Sequence, residues 1–251
     1  MDLGLSDRVF IITGGARGLG RATADVLVAE GARVVLSGRS EDALREAAGD
    51  AGDAVETLSA DNAEASTPSR LLDAARARWG RVDGALISVG GPPKGSVGST
   101  TDEQWTAAFE SVFLGAVRLG REIGAALPPG GSLAFVLSSS VRAALPDMAI
   151  SNGLRPGLAM VAKTLADELG PAGVRVNGLL PGRVGTERVA ELDALSGDAE
   201  AAKAATVRTI PLGRYGEPEE FGRVAAFLLS PASSFVSGAM VPVDGGMLRS
   251  L

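Results

Sequence analysis

The chain has 251 residues, enough for one large α/β domain, and its formal net charge of −6 argues against a polyanionic partner such as nucleic acid. It contains no cysteine and no histidine, which excludes a disulfide framework, a thiolate metal site and a histidine general base, so we expect no bound metal. No apolar run approaches the length of a membrane span and the N-terminus lacks a signal-peptide pattern, so we expect a cytoplasmic protein.

Short aliphatic and β-branched runs alternate with longer helical patterns along the chain. The runs predict strands at 9–13, 33–38, 55–59, 84–89, 132–137, 174–180 and 239–243. The longer patterns predict helices at 18–30, 40–50, 63–79, 101–126, 148–169 and 217–229. Strands that are buried on both faces and joined by helical crossovers pair in parallel. The sequence therefore predicts an α/β fold, a single-domain doubly wound parallel sheet of the Rossmann type with about seven strands and helices on both faces, spanning residues 1–251.

Three local signals refine the helices. Thr101 and Gln104 stand three residues apart, as in a capping box, and predict the start of the helix at 101–126. Pro218 suits the first turn of the helix at 217–229, where its missing N–H costs nothing. Pro156 lies inside the predicted helix at 148–169, where it predicts a kink or a local loosening.

Residues 183–212 break the alternation with two short helical pieces, at about 186–195 and 198–208. This insertion follows the sixth strand and therefore falls at the carboxyl edge of the sheet, where such folds bind ligands. It predicts a substrate lid. An excursion of the chain that serves only packing is the alternative.

The segment at 13–20 is rich in glycine and joins the first strand to the first helix. Gly14, Gly18 and Gly20 let the backbone approach a pyrophosphate, and the N–H groups of the first helical turn point at its negative charge. A tight turn without a ligand is the alternative. The strand and helix on its two sides favour a nucleotide site.

Further motifs occur in order along the chain: Pro181-Gly182 after the sixth strand and Val243-Asp244-Gly245-Gly246 near the end. With the segment at 13–20, they make the chain resemble the classical short-chain dehydrogenase/reductase family from Asp7 to Met247. Residues 172–177 and 213–219 look especially like the 3-oxoacyl-thioester (acyl carrier protein) reductase branch. The resemblance implies an NAD(P)-dependent oxidoreductase that forms a homotetramer or homodimer through the fourth and fifth helices and the C-terminal strand.

The resemblance also implies the cofactor contacts. The residues that match are Gly14, Gly18, Leu19 and Gly20 for the pyrophosphate, Asp61 and Asn62 for the adenine, Gly90 for the adenine ribose, and Pro181, Gly182, Val184 and Thr186 for the nicotinamide carboxamide. Asp61 can also cap the helix predicted at 63–79, a role that is compatible with the first.

The end of the second strand decides between the two nicotinamide cofactors. An acid there would bind the ribose 2′-hydroxyl and repel a 2′-phosphate, but this chain has Gly38 followed by Arg39. Arg17 stands just before Gly18, and two guanidinium groups can fork onto a 2′-phosphate. The residues favour NADP. The alternative is that both arginines are solvated surface charges.

The family's catalytic residues are replaced. Ser151 stands at the position of its tyrosine and Arg155 at that of its lysine, while Val112 replaces the supporting asparagine and Ile87-Ser88 replaces two asparagines after the fourth strand. Only the serine remains, in a row of three: the family spacing to position 151 selects Ser138, and a shortened loop would select Ser139 or Ser140. The sole tyrosine, Tyr215, lies in a late loop and is not assigned to the missing role.

Reducing a carbonyl needs a hydride at carbon and a proton at oxygen, and neither serine nor arginine is an effective acid at neutral pH. Arg155 can still bind the cofactor ribose and stabilise a developing alkoxide, while Ser138 and Ser151 orient the carbonyl and water or the substrate supplies the proton. The leading hypothesis is an NADP-dependent carbonyl reductase with a tyrosine-free site.

A nucleotide-binding pseudoenzyme or regulatory subunit, and a non-redox lyase or isomerase, are the alternative functions. Lys94, Arg142 and Arg183 lie in loops at the carboxyl edge of the sheet. Together with Arg155 they predict a positive rim that attracts an anionic or thioester-linked substrate, although unrelated surface charges explain them equally well.

Overall fold

The computed structural model describes residues 2–49, 51–195 and 197–250. These residues form one seven-stranded sheet in which every pairing is parallel. The strands are β1 (Val9–Thr13), β2 (Arg33–Gly38), β3 (Val55–Ser59), β4 (Gly84–Ile87), β5 (Ser132–Val136), β6 (Arg175–Pro181) and β7 (Met240–Val243). Each run of apolar residues that predicted a strand is a strand here.

Helices cover both faces of the sheet. They are α1 (Gly18–Ala29), α2 (Glu41–Ala48), α3 (Thr67–Trp79), α4 (Asp102–Ala108), α5 (Gly115–Ala126), α6 (Ala149–Leu169), α7 (Glu187–Ala194), α8 (Ala199–Val207) and α9 (Pro218–Leu229). In the part of the chain that the structure describes, no helix is both long and apolar enough to cross a membrane.

The strand order is β3-β2-β1-β4-β5-β6-β7, so the direction of winding reverses between β1 and β4. One apolar layer packs α3, α5 and α6 on the sheet through residues such as Leu71, Leu119 and Leu158. The other packs α1 and α9 through residues such as Leu27 and Phe221. The fold is the predicted doubly wound sheet, and its reversal point marks the crevice in which such sheets bind ligands.

The helix predicted at 63–79 begins four residues later than expected, at Thr67. Asp61 is therefore not its cap: the Asp61 carboxylate accepts a hydrogen bond from the Ala63 N–H (2.9 Å) and closes the turn before the helix. The reason lies in Pro68, which a helix can hold in its first turn but not in its interior.

The stretch predicted as one helix at 101–126 contains a π-helical segment, Phe109–Leu114, between α4 and α5. Its Val112 is buried in the core. The capping box at its start is confirmed, since Thr101 and Gln104 exchange hydrogen bonds of 3.0 and 3.3 Å. The helix α6 runs through Pro156 without interruption, so this proline does not divide the helix, and the kink or local loosening expected there stays a prediction.

Candidate active site

The glycine-rich turn between β1 and α1 has the backbone of a phosphate-binding loop. Gly14 and Gly18 adopt left-handed conformations, with φ of 59° and 58°. A Cβ on Gly20 would lie 2.3 Å from the Gly14 carbonyl oxygen, so only glycine allows this close approach. Among the described residues no side chain caps α1, and its first amides remain available to an anion.

The ends of β1 and β4 are tied together beside this turn. The Thr13 hydroxyl donates to the Ser88 carbonyl oxygen (2.8 Å) and accepts from the Ser88 N–H (2.9 Å). Beyond Ser88, a Cβ on Gly90 would meet no described atom within 4 Å, so the groove above Gly90 is open. The Thr13–Ser88 pair was missed in the sequence, because nothing in the spacing of the two residues signals their contact.

The residues expected at the adenine end follow the ends of β1, β2 and β3. Arg39 follows β2 and is exposed, and it forms no ion pair with another described residue. Arg17 is also exposed, but its guanidinium lies 3.7 Å from the Glu191 carboxylate on α7. The Asn62 amide donates to the Ser88 carbonyl at 3.5 Å, the upper limit for a hydrogen bond.

The segment after β6 lies over the glycine-rich turn. Pro181 ends β6, and a Cβ on Gly182 would lie only 2.6 Å from the Asp244 side chain. Val184 is buried and pairs with Gly216. The Thr186 side chain caps α7, accepting the Val189 N–H (3.4 Å), and its methyl group would lie 3.7 Å from a Cβ on Gly18. Through Thr186, the segment expected at the nicotinamide end thus lies beside the turn expected at the pyrophosphate. Leu19 is half-buried beside the turn.

The structure separates the roles of two of the three serines after β5, Ser138 and Ser140. The half-buried Ser138 hydroxyl accepts the Ser140 N–H (3.1 Å) and caps a short 3₁₀ turn. The Ser140 hydroxyl lies 3.0 Å from that of Ser151, and both serines are buried. The spacing selected Ser138, whereas the side chain in contact with Ser151 is Ser140.

Arg155 is a buried cation one helical turn after Ser151. Its guanidinium donates to the Val136 carbonyl oxygen (2.7 Å) and to that of Gly90 (3.3 Å), at the ends of β5 and β4. Its side chain forms no ion pair with a described acid, and its Nε–H has no partner among the described residues. Burial lowers the pKa of Arg155 to about 10, so the group is still cationic at neutral pH.

A positive rim needs basic side chains that are free to bind a substrate, but two of the other expected basic residues already contact protein groups. Arg142 donates to the Met240 carbonyl oxygen (3.0 Å), and Arg183 lies 3.6 Å from the buried Asp193 carboxylate. Only Lys94 of the three loop charges is both exposed and without an ion pair to a described residue. The predicted rim is therefore wrong for Arg183, whose charge is paired with Asp193, while the half-buried Arg142 is held by a backbone carbonyl.

Tyr215 belongs to the same cluster as Arg183. Its hydroxyl donates to the Asp193 carboxylate (3.0 Å), and burial is the main cause that raises its pKa. A phenol with a raised pKa is a weaker acid, and this one already serves to hold α7 against the 213–216 loop.

Arg188, at the start of α7, is a residue that the sequence analysis missed. Its guanidinium donates to the Pro92 carbonyl oxygen (2.9 Å) in the loop after β4 and lies 3.3 Å from the Glu191 carboxylate. It therefore connects the segment 183–212 to the loop after β4. No motif marked it, since its partners come from distant parts of the sequence.

The family of the chain follows from comparison with known proteins. The model of the enoyl-(acyl carrier protein) reductase family matches residues 14–248. A cis-4-hydroxycyclohexanecarboxylate dehydrogenase of Sinomonas cyclohexanicum is 33% identical over 246 residues, which cover 96% of this chain and 96% of the relative. The chain belongs to the short-chain dehydrogenase/reductase family.

Solved structures of this family have the same fold over the whole chain. An L-sorbose reductase from Gluconobacter frateurii, complexed with NADPH and L-sorbose, is 29% identical with a TM-score of 0.94, and the match covers 100% of both chains. A variant of actinorhodin polyketide ketoreductase with NADPH is 25% identical with a TM-score of 0.90, over 97% of this chain and 98% of that one. These structural neighbours of the short-chain dehydrogenase/reductase chain are NADPH complexes of reductases, and its relatives are named oxidoreductases, dehydrogenases and reductases.

Proposed function

We propose that this chain is an NADP(H)-dependent reductase of a ketone or 3-oxoacyl-type carbonyl that works without the tyrosine and lysine of its family. The observation that carries the proposal is Arg155, a buried cation without an acidic partner among the described residues, one turn from Ser151. A buried charge of this kind is costly unless an anion or a developing negative charge compensates it.

The cleft fits a dinucleotide. Gly14 and Gly18 have left-handed backbones that a larger residue would strain, a Cβ on Gly20 would clash with the Gly14 carbonyl oxygen, and the space above Gly90 is open. The residues proposed to hold the cofactor are Gly14, Gly18, Leu19 and Gly20 at the pyrophosphate, Asp61, Asn62 and Gly90 at the adenosine, and Pro181, Gly182, Val184 and Thr186 at the nicotinamide. When bound, the reduced cofactor supplies a hydride to the carbonyl carbon.

We assign Arg155 the role of stabilising the oxygen on which negative charge develops. Two of its five N–H groups bind backbone carbonyls, which fix the guanidinium and leave its other terminal N–H groups as donors for a ligand, while the buried Nε–H has no partner among the described residues. Ser138 and Ser151 would orient the carbonyl. Neither serine nor arginine supplies a proton at neutral pH, so the proton at oxygen comes from water or from an acidic group of the substrate.

The segment 183–212 is proposed to be the lid of this site. Thr186 lies over the glycine-rich turn, and Arg188 reaches the loop after β4, so the segment covers the cleft from one strand end to the next. Asp193 holds the segment through Arg183 and Tyr215. Closure over the cofactor would exclude water from the reacting centre.

The cofactor preference gives one testable prediction. If Arg39 binds the 2′-phosphate, the charged hydrogen bonds should favour NADPH over NADH by roughly 1.5–3 kcal/mol, on the order of tenfold to a hundredfold. Titration calorimetry should show this difference, and Arg39→Ala should remove most of it. Equal affinity of the unmodified protein for NADPH and NADH would contradict the assignment.

The charge of the substrate gives another. Arg155 and the exposed Lys94 favour an anionic substrate, such as a carboxylate, a coenzyme A thioester or a phosphopantetheine arm. Of these two charges only Lys94 is exposed, so the Michaelis constant of such a substrate should rise with salt, because exposed charges are screened within a Debye length of about 10 Å at 0.1 M. A neutral substrate of similar size is the control. A Michaelis constant that does not respond to salt would argue against a contact between Lys94 and an anionic substrate.

The decisive test of the function is NADPH oxidation by the purified protein with a panel of ketones, 3-oxoacyl thioesters, β-dicarbonyls and hydroxyaryl ketones. Stoichiometric oxidation of NADPH with one class of substrate supports the reductase.

A nucleotide-binding pseudoenzyme is the second candidate function. It is favoured by the buried hydrogen bond between Ser140 and Ser151 and by the backbone partners of Arg155, because these contacts already use many of the polar groups of the site. Tight NADPH binding without reduction of any substrate would support it.

A further inference from the structure

A chain of charges crosses the cofactor cleft between the ends of β1 and β4. Arg17 of the glycine-rich turn lies 3.7 Å from one oxygen of the Glu191 carboxylate, and Arg188 lies 3.3 Å from the other. Arg188 continues to the Pro92 carbonyl oxygen (2.9 Å). We name Arg17, Glu191 and Arg188 the charge clasp.

The ion pairs of the charge clasp are exposed and weak. The side chains of Arg17, Glu191 and Arg188 keep 67%, 48% and 37% of their solvent exposure. Ion pairs of such exposure contribute little to stability and exchange readily. The pair between Arg17 and Glu191 is also longer than a direct hydrogen bond, so a better anion can replace Glu191 as the partner of Arg17.

The position of Arg17 makes this exchange relevant to the cofactor. The turn that carries Arg17 follows β1, which has β2 with Arg39 on one side and β4 on the other. Under the proposed function, the 2′-phosphate binds on the side of Arg39. Arg17 therefore either stays on the Glu191 carboxylate or turns to the 2′-phosphate, a doubly charged and more strongly binding partner for a guanidinium.

We infer that Glu191 is a specificity-determining residue, which competes with the adenosine 2′-phosphate for Arg17 and so limits the preference for NADP(H) over NAD(H). When NAD(H), which lacks the 2′-phosphate, binds, the Arg17–Glu191 ion pair is kept and does not weaken the binding of the cofactor. When NADP(H) binds, Arg17 must leave Glu191 to reach the 2′-phosphate. Arg188 keeps Glu191 paired in both states. The inference rests on the proposed cofactor and adds a residue to its recognition.

The test is a set of affinities measured by calorimetry for NADPH and NADH, with each variant first checked for unchanged thermal unfolding. Glu191→Gln should raise the ratio of the NADH to the NADPH dissociation constant by about two- to fivefold, the range expected from loss of an exposed ion pair. Arg17→Gln should lower this ratio. In the Arg17→Gln background, the Glu191→Gln change should have no further effect on it.

Glu187→Gln is the matched control. Glu187 is on the same helix, its carboxylate would lie 4.0 Å from a Cβ on Gly18, and it forms no ion pair with another described residue. Removal of this charge should leave the cofactor ratio unchanged. The inference is overturned if Glu191→Gln leaves the ratio unchanged, if Glu187→Gln changes it equally, or if the effect persists without Arg17. Because the readout is binding, an inactive protein that gives the expected ratios would count against the reductase function and not against the clasp.

Discussion

Replacing Arg155 with alanine should lower turnover by about 10²–10³, the usual effect of removing a donor that stabilises a developing oxyanion. Arg155→Lys should recover only part of this loss, because an ammonium group lacks the planar fork of the guanidinium. The measurement is kcat with the best substrate of the panel. NADPH affinity should fall less than turnover, because the variant loses the ribose contact expected of Arg155 but keeps the phosphate contacts expected of other residues.

Arg175 is a matched control for the structural part of this effect. It too is a buried arginine that donates to backbone carbonyls, those of Leu228 (2.9 Å), Ser230 (2.9 Å) and Val236 (3.2 Å). It begins β6, at the opposite edge of the sheet from the cleft. Arg175→Lys should lower thermal stability and leave kcat unchanged. If Arg155→Lys affects only stability in the same way, Arg155 is structural and its proposed role in the reaction fails.

The periodic part of the fold could be predicted from the sequence with little error. Parallel strands buried on both faces are short apolar runs bounded by turn residues, so each of the seven strands is visible in the sequence. The late start of α3 was also encoded, in Pro68, but the helical pattern before it outweighed that signal. The π-helical segment at 109–114 was not visible, because its residues have an ordinary helical composition.

The residues of the candidate site could be predicted only where they lie together in one turn or one helix. The glycine-rich turn needs specific backbone angles that glycine alone adopts easily, and positions 151 and 155 share a helix face by their spacing. The choice among Ser138, Ser139 and Ser140 depends on how the loop after β5 meets α6. The partners of Arg17, Arg142 and Arg183 come from segments far along the chain, so their engagement had no local signal.

The proton source should decide which substrates the unmodified protein reduces. Ketones with an acidic hydroxyl or enol beside the carbonyl can protonate the new alkoxide internally, and they should react well. Simple isolated ketones need an external acid, and the described groups around Arg155 offer none that is effective at neutral pH. A paired series of hydroxyaryl ketones and their methyl ethers, compared by kcat/KM with NADPH, measures this difference.

The double change Ser151→Tyr with Arg155→Lys should then raise activity on isolated ketones by about ten- to hundredfold, below the 10²–10⁴ that a well-placed general acid contributes. The ammonium would lower the pKa of the nearby phenol. Ser151 is buried against Ser140, so Ser140→Ala belongs in the same background to reduce overpacking. The control is Ser151→Phe together with Arg155→Lys and Ser140→Ala, because phenylalanine has the aromatic ring without the hydroxyl. Equal rates for the tyrosine and phenylalanine variants would show that a missing acid does not limit the reaction. If the unmodified protein binds NADPH tightly, reduces nothing and gains no activity from the double change, the chain is a nucleotide-binding protein without reductase activity.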